Sequence, residues 1–162
     1  MSRSTTRTSS PASRAAGEAI AARCQGTPLH TEPWGAHVAT ADHAAVPQVT
    51  FTDPEVASVG LTEAVARRQG LNVRAVEYDL GAVAGASLFA DGYTGRARLV
   101  VDPEREVVLG ATFVGPDVAE LLHSATIAVV GEVPLHRLWH AVPAYPTISE
   151  VWLRLLEAYR SA

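Results

Sequence analysis

The chain has 162 residues, with 13 basic and 17 acidic side chains, a formal charge of −4 and 48 % hydrophobic residues. It has no apolar run of about 18 residues to span a membrane, and it has no lysine, which excludes a Walker phosphate loop and a pyridoxal Schiff base. Mild acidity runs against a nucleic-acid binder, and the single cysteine, Cys24, excludes a disulfide framework, a Cys-x-x-Cys redox pair and a multi-cysteine zinc site.

Residues 1–13 are almost all Ser, Thr and Arg, with no apolar periodicity, and read as a disordered tail. Arg14–Cys24 is alanine-rich and reads as a helix. Gln25–Ala45 carries Gly26, Pro28, Pro33 and Gly35 and reads as a linker, so the compact domain is expected over residues 46–162. Val49–Phe51 is a short strand candidate, followed by the turn Thr52-Asp53-Pro54-Glu55. Thr62 is placed to cap a helix running to Gln69, with Gly70 as its stop. Val73–Leu80 alternates with the period of a half-buried strand.

Gly81–Gly85 lacks the spacing of a phosphate-cradling loop and reads as a flexible connection. Arg96–Val101 and Glu106–Val114, separated by Asp102-Pro103-Glu104-Arg105, predict a β-hairpin. Gly115-Pro116-Asp117 opens a helix with Val118, Leu121, Leu122, Ala125, Ala128 and Val129 on one face. Ile127 and Val130 form a second stripe, which predicts burial on more than one side, and Gly131 ends the helix. Leu135–His140 is a short helical turn. Ser149 is placed to cap a last helix whose apolar face is Val151, Trp152, Leu155, Leu156 and Tyr159. Runs of strands and helices around a central hairpin predict an α+β fold, an antiparallel sheet with helices packed on it.

Few chemical signals stand out. His136 and His140 share a helix face, but position 137 is Arg, so the zincin pattern fails and no metal site is expected. His30, His37 and His43 lie at no ligand spacing. No Gly-x-Ser-x-Gly elbow supplies a hydrolase nucleophile. Read alone, Glu150 is a first-turn glutamate that suits the helix dipole and pairs on the surface with Arg154.

Phe51-Thr52-Asp53-Pro54-Glu55-Val56-Ala57-Ser58-Val59-Gly60-Leu61-Thr62-Glu63 closely resembles the opening of the C-terminal dimerisation domain of the FAD-dependent pyridine nucleotide–disulfide oxidoreductases. This is the family of dihydrolipoamide dehydrogenase, glutathione reductase and mercuric reductase. The Gly95–Glu120 stretch resembles the domain's central segment, and Tyr145-Pro146-Thr147-Ile148-Ser149-Glu150 is similar to its terminal His-Pro-Thr-x-Ser-Glu signature. Arg14–Arg23 resembles the last helix of the preceding flavin domain, which makes residues 14–45 a remnant helix plus linker.

The resemblance implies a homodimer in which this domain forms the subunit interface and the His-Pro-Thr segment reaches the partner's flavin. Carried over by position, Tyr145 and Glu150 take the catalytic places, with Tyr145 standing where the family has histidine, and Pro146 and Thr147 take the cofactor-facing ones. A phenol has a reference pKa of about 10 against about 6.5 for imidazole, so it is a poor base at neutral pH. A disulfide-independent NAD(P)H oxidoreductase is therefore as consistent a parent as a dithiol enzyme.

The chain has no Gly-x-Gly-x-x-Gly fingerprint and no Cys-x4-Cys dithiol. FAD and NAD(P) are thus expected in a parent enzyme, with FAD not bound tightly by this chain alone. The expectation is a cytoplasmic, truncated or separately encoded interface domain, self-associating through the 118–130 helix and the region of Trp152. Its partners would be a second copy and the flavin domain of a parent or companion chain, with no nucleic acid and no membrane. The rival reading is a stand-alone dimerising interaction module without redox activity.

Overall fold

The computed structural model describes residues 45–161. The expected tail, the Arg14–Cys24 helix, most of the linker, His30, His37 and His43 lie outside the described residues. Five strands form one sheet in the order β1-β2-β5-β4-β3, all neighbours antiparallel. They are β1 Gln48–Thr50, β2 Glu55–Gly60, β3 Arg74–Asp79, β4 Arg96–Asp102 and β5 Val107–Gly115. Helix α1 (Glu63–Arg68) joins β2 to β3, α2 (Ala84–Phe89) joins β3 to β4, and α3 (Ala119–Val130), α4 (Leu135–Trp139) and α5 (Val151–Ser161) follow the sheet. The α+β architecture is the one expected.

The core lies between one sheet face and two helices, with α3 over β2 and β5 and α5 over β3 and β4. Alternation along the strands puts Ala57, Val59, Val76, Ala97, Leu99, Ala111 and Phe113 into this layer. From the helices come Leu121, Leu122, Ala125, Val151, Leu155 and Leu156. Among the described residues no helix is long and apolar enough to cross a membrane.

Several local expectations hold. Thr62 Oγ1 accepts the Val65 N–H at 3.3 Å as the cap of α1, and Gly70 takes a positive φ of 79° after it. The hairpin forms with a register shift at Val100/Val101. Other expectations need correction. The first strand is Gln48–Thr50, and the unassigned Glu55–Gly60 run is β2, paired along its whole length with β5.

Gly81–Gly85 is not a loose connection: Leu80–Ala82 makes a 3-10 turn capped by Asp79, and α2 starts at Ala84. Helix α3 begins at Ala119, after Asp117 in the left-handed region at φ 53°. Its N-cap residue, Val118, offers no side-chain acceptor, and Glu55 Oε2 from β2 accepts the Ala119 N–H at 3.3 Å instead. Ile127 and Val130 are not buried by the chain itself; they are 56 % and 55 % exposed. Ser149 does not cap the last helix, because an Ile148–Glu150 3-10 turn runs directly into α5.

The tightest point of the sheet is Gly60 opposite Gly110. There the chain leaves β2 with Gly60 at φ 77° and Leu61 N–H donating to Leu109 O at 2.9 Å. A methyl group on Gly110 would overlap Leu61 O and stand 2.7 Å from Leu61 N, and both atoms are main chain. Gly110→Ala is expected to destabilise the domain by about 3 kcal/mol. In urea denaturation this appears as a lowered midpoint at unchanged slope.

Candidate functional site

The stretch from Val142 to Glu150 leaves the core and returns to it. Pro143 and Pro146 fix φ and remove two backbone donors, and residues 142–147 form neither helix nor strand; the Tyr145–Pro146 bond is cis. Thr147 Oγ1 donates to Ala144 O at 2.6 Å, closing the turn. Tyr145 is 77 % exposed at its tip, whereas Glu150 is 5 % exposed at its base.

Glu150 is therefore not the surface ion-pair residue expected. Its Oε1 accepts from Arg154 Nε at 3.0 Å and Nη2 at 2.7 Å, and its Oε2 accepts the Ala84 N–H at 3.1 Å. Hydrogen bonds to Glu157 and then to Glu150 push the Arg154 guanidinium up from its ordinary value. The Ala84 contact spans 66 residues of sequence. The sequence carried no sign of it beyond a run of small residues after Val83. Among the described residues the Tyr145 hydroxyl makes no hydrogen bond, so the site joins Glu150 to α2 and Arg154 and leaves Tyr145 facing outward.

Apolar hollows flank this segment. One, of about 400 Å³, is lined by Ser124, Ile127, Ala128, Val133, Leu138, Ala141, Pro143, Ser149 and Trp152. Trp152 is held there by Phe113, ring centroids 6.4 Å apart, and by its Nε1 donating to Ser124 Oγ at 3.1 Å. The other, of about 200 Å³, includes Phe89, Tyr93, Pro116, Leu121 and Ile148 and shares Ser149 with the first. Tyr93 donates from its hydroxyl to Pro116 O at 2.8 Å. Burial first, then the Asp117 and Glu55 carboxylates, raise its phenol above the ordinary value.

His136 and His140 are exposed beside Trp139, whose ring lies under the Arg160 guanidinium at 4.6 Å. Among the described residues no three His, Cys, Asp or Glu side chains come together to hold a metal. Nor do these residues build a dinucleotide cradle: every strand pair is antiparallel, so no parallel strand–helix–strand crossover aims a helix N-terminus at a pyrophosphate. Pro146 is exposed at the tip of the segment and Thr147 is half-buried beneath it.

Residues 46–156 match the family described as "Pyridine nucleotide-disulphide oxidoreductase, dimerisation domain". The chain is 35 % identical over 111 residues to dihydrolipoyl dehydrogenase of Chlamydia muridarum, covering 68 % of this chain and 24 % of that protein. It is 37 % identical over 113 residues to dihydrolipoyl dehydrogenase of Thermus scotoductus, covering 70 % and 24 %. Among solved structures it is similar to the HOCl-induced flavoprotein disulfide reductase RclA from Escherichia coli, with a TM-score of 0.65 and 26 % identity over 72 % of this chain and 26 % of that one. The chain belongs to this dimerisation-domain family and spans about a quarter of the length of the curated relatives it matches.

Burial changes what Glu150 is worth. Glu150→Gln leaves Arg154 and the Ala84 N–H with a weaker, half-mismatched partner, and an expected cost of about 2 kcal/mol replaces the roughly 1 kcal/mol of a surface pair; urea denaturation measures it. Tyr93 sets an alkaline limit. Its folded pKa is raised, so the unfolded chain ionises first. The stability it contributes is complete below about pH 10 and is lost as pH rises through the folded value. Tyr93→Phe is expected to flatten that alkaline fall while costing about 1 kcal/mol at pH 7 for the lost hydrogen bond. Thermal melts from pH 7 to pH 11 test both halves.

Proposed function

We propose that this domain is the self-associating interface element of an FAD-dependent NAD(P)H oxidoreductase, in which a second copy packs on the hollow beside α3. The observation that carries this reading is the exposure of the apolar Ile127 and Val130 on the outward side of α3, where Ile127 lines the apolar hollow together with Trp152. Val142 and Tyr145, 83 % and 77 % exposed, stand one and two residues from Pro143, which lines the same hollow. Single-chain domains rarely leave such side chains grouped around a groove without a partner for them.

In this reading residues 46–162 form the interface domain, residues 14–45 lead into it from a flavin-binding region, and FAD and NAD(P) are held by a flavin domain of a parent or companion chain. Pro146 and Thr147 would lie nearest that flavin, with Tyr145 and Glu150 at the places of the family's catalytic pair. The chain alone then binds FAD weakly and does not turn over NAD(P)H, in keeping with the antiparallel sheet. The cellular setting that fits is the cytoplasm. A second reading, a dimerising interaction module without redox work, is favoured by one feature. Both oxygens of Glu150 are engaged within the domain.

Sedimentation of the purified chain, with Ile127→Asp and Val130→Asp beside it, tests the shared premise. The expected result is a reversible dimer that each substitution weakens by about tenfold or more. A wild-type chain that stays monomeric at high concentration overturns it. Titration with FAD separates the two readings from a self-sufficient flavoprotein, for which micromolar binding would speak.

A further inference from the structure

Gly85 is buried at the start of α2. A methyl group there would overlap the main chain of Thr147 and Ile148 and stand 2.5 Å from Thr147 Cα. Because the obstructing atoms are backbone, no side-chain rotation makes room. Along the same seam Ala84, the first residue of α2, donates its N–H to Glu150 Oε2. A first-turn N–H has no acceptor within its own helix, so this bond fills a vacancy that α2 cannot fill itself. Glu150 N–H donates to Thr147 O at 3.1 Å, and Thr147 Oγ1 donates to Ala144 O. The segment from Ala144 to Glu150 is thus tied across its own turn and pressed along its middle against α2.

We infer that α2 is a clamp: the close approach that Gly85 permits and the Ala84–Glu150 bond fix the position of the Ala144–Glu150 segment, and through it the placing of Tyr145 at the self-association surface. Gly85 and Ala84 are positioning residues that act through Thr147 and Glu150. The link to a second copy rests on the function proposed above, whereas the clamp itself rests on contacts within one chain.

Two substitutions in the 162-residue chain test this. Gly85→Ala forces the seam apart. Ala84→Pro removes the N–H and sets the ring Cδ against Glu150 Oε2, so it breaks the bond and displaces the carboxylate. Helix α2 itself tolerates the change, because proline suits the first turn of a helix and Val83 already has the extended backbone (φ −85°, ψ 148°) that a following proline requires. The readouts are amide hydrogen exchange at Glu150 and Val151, whose N–H groups bond to Thr147 O and Ile148 O, with β4 and β5 amides as internal reference, and sedimentation equilibrium.

Exchange at Glu150 and Val151 is expected to quicken by about tenfold in both variants with the sheet amides unchanged, and Gly85→Ala is expected to weaken self-association. Should Gly85→Ala fail to fold, Ala84→Pro decides alone. Wild-type exchange at Glu150 and Val151 in a folded Ala84→Pro chain overturns the clamp. Faster exchange with unaltered self-association overturns the link from clamp to partner. A wild-type chain that never self-associates overturns the partner reading of Tyr145, and the exchange result then decides the clamp by itself.

Discussion

Helices α2 and α3 begin without a capping side chain of their own, and each takes a carboxylate from a distant part of the chain. The N-cap positions of α2 and α3 are both valine, Val83 and Val118, and both are buried. Glu150 supplies the acceptor for the first N–H of α2, and Glu55 does so for α3. An unpaired N–H in such a place costs about 1–3 kcal/mol, and a carboxylate at a helix start adds a favourable term with the helix dipole. These bonds also carry positional information. Glu55 ties the start of α3 to the first residue of β2, and Glu150 ties the start of α2 to the entry of α5. Since α3 walls one hollow and α2 borders the other, the two glutamates set the geometry of the surface between them.

Glycine does the complementary work of bringing main chains together. At Gly60 and Gly110 the chain turns off β2 and crosses β5 at a spacing that leaves no volume for a side chain. At Gly85 a helix meets the 144–150 segment backbone to backbone. A hydrogen bond sets direction and a close-packed seam sets distance, and the segment bearing Tyr145 is held by one of each. This explains why a stretch with two prolines and little regular structure still has a definite path.

Much of the architecture was legible because its signals are local. Alternation in Val73–Leu80, the turn residues of the 96–114 hairpin and the Thr62 and Gly70 punctuation of α1 depend on neighbours a few residues away. Strand β2 was hidden because its run, Glu55-Val56-Ala57-Ser58-Val59-Gly60, is short and mixes small residues, and its pairing with β5 lies some fifty residues downstream. The Ile127/Val130 stripe was read as buried because hydrophobicity reports a wish for contact and not whether the chain itself supplies it. Glu150, expected in the first turn of the last helix and at the surface, instead ends the 3-10 turn before that helix and is buried. Its long-range partner, Ala84, comes 66 positions earlier and has no side-chain chemistry to announce the contact.

The same geometry bears on what Tyr145 and Glu150 can do together. A carboxylate that orients a proton carrier must keep a lone pair turned toward it. Glu150 spends two acceptor sites on the Arg154 fork and a third on Ala84 N–H, out of about four that a carboxylate offers. It does so while buried, whereas Tyr145 points to the surface. Among the described residues no hydrogen bond joins the two side chains, and a phenol offers one donor and one acceptor to whatever meets it at the surface. A glutamate tied to α2 and Arg154 and a tyrosine left facing outward are mutually consistent placements. The carboxylate serves the segment as an anchor, and the anchored segment presents Tyr145 at its exposed tip. What the arrangement fixes is the position of the segment, which an interface requires whether or not proton transfer occurs across it.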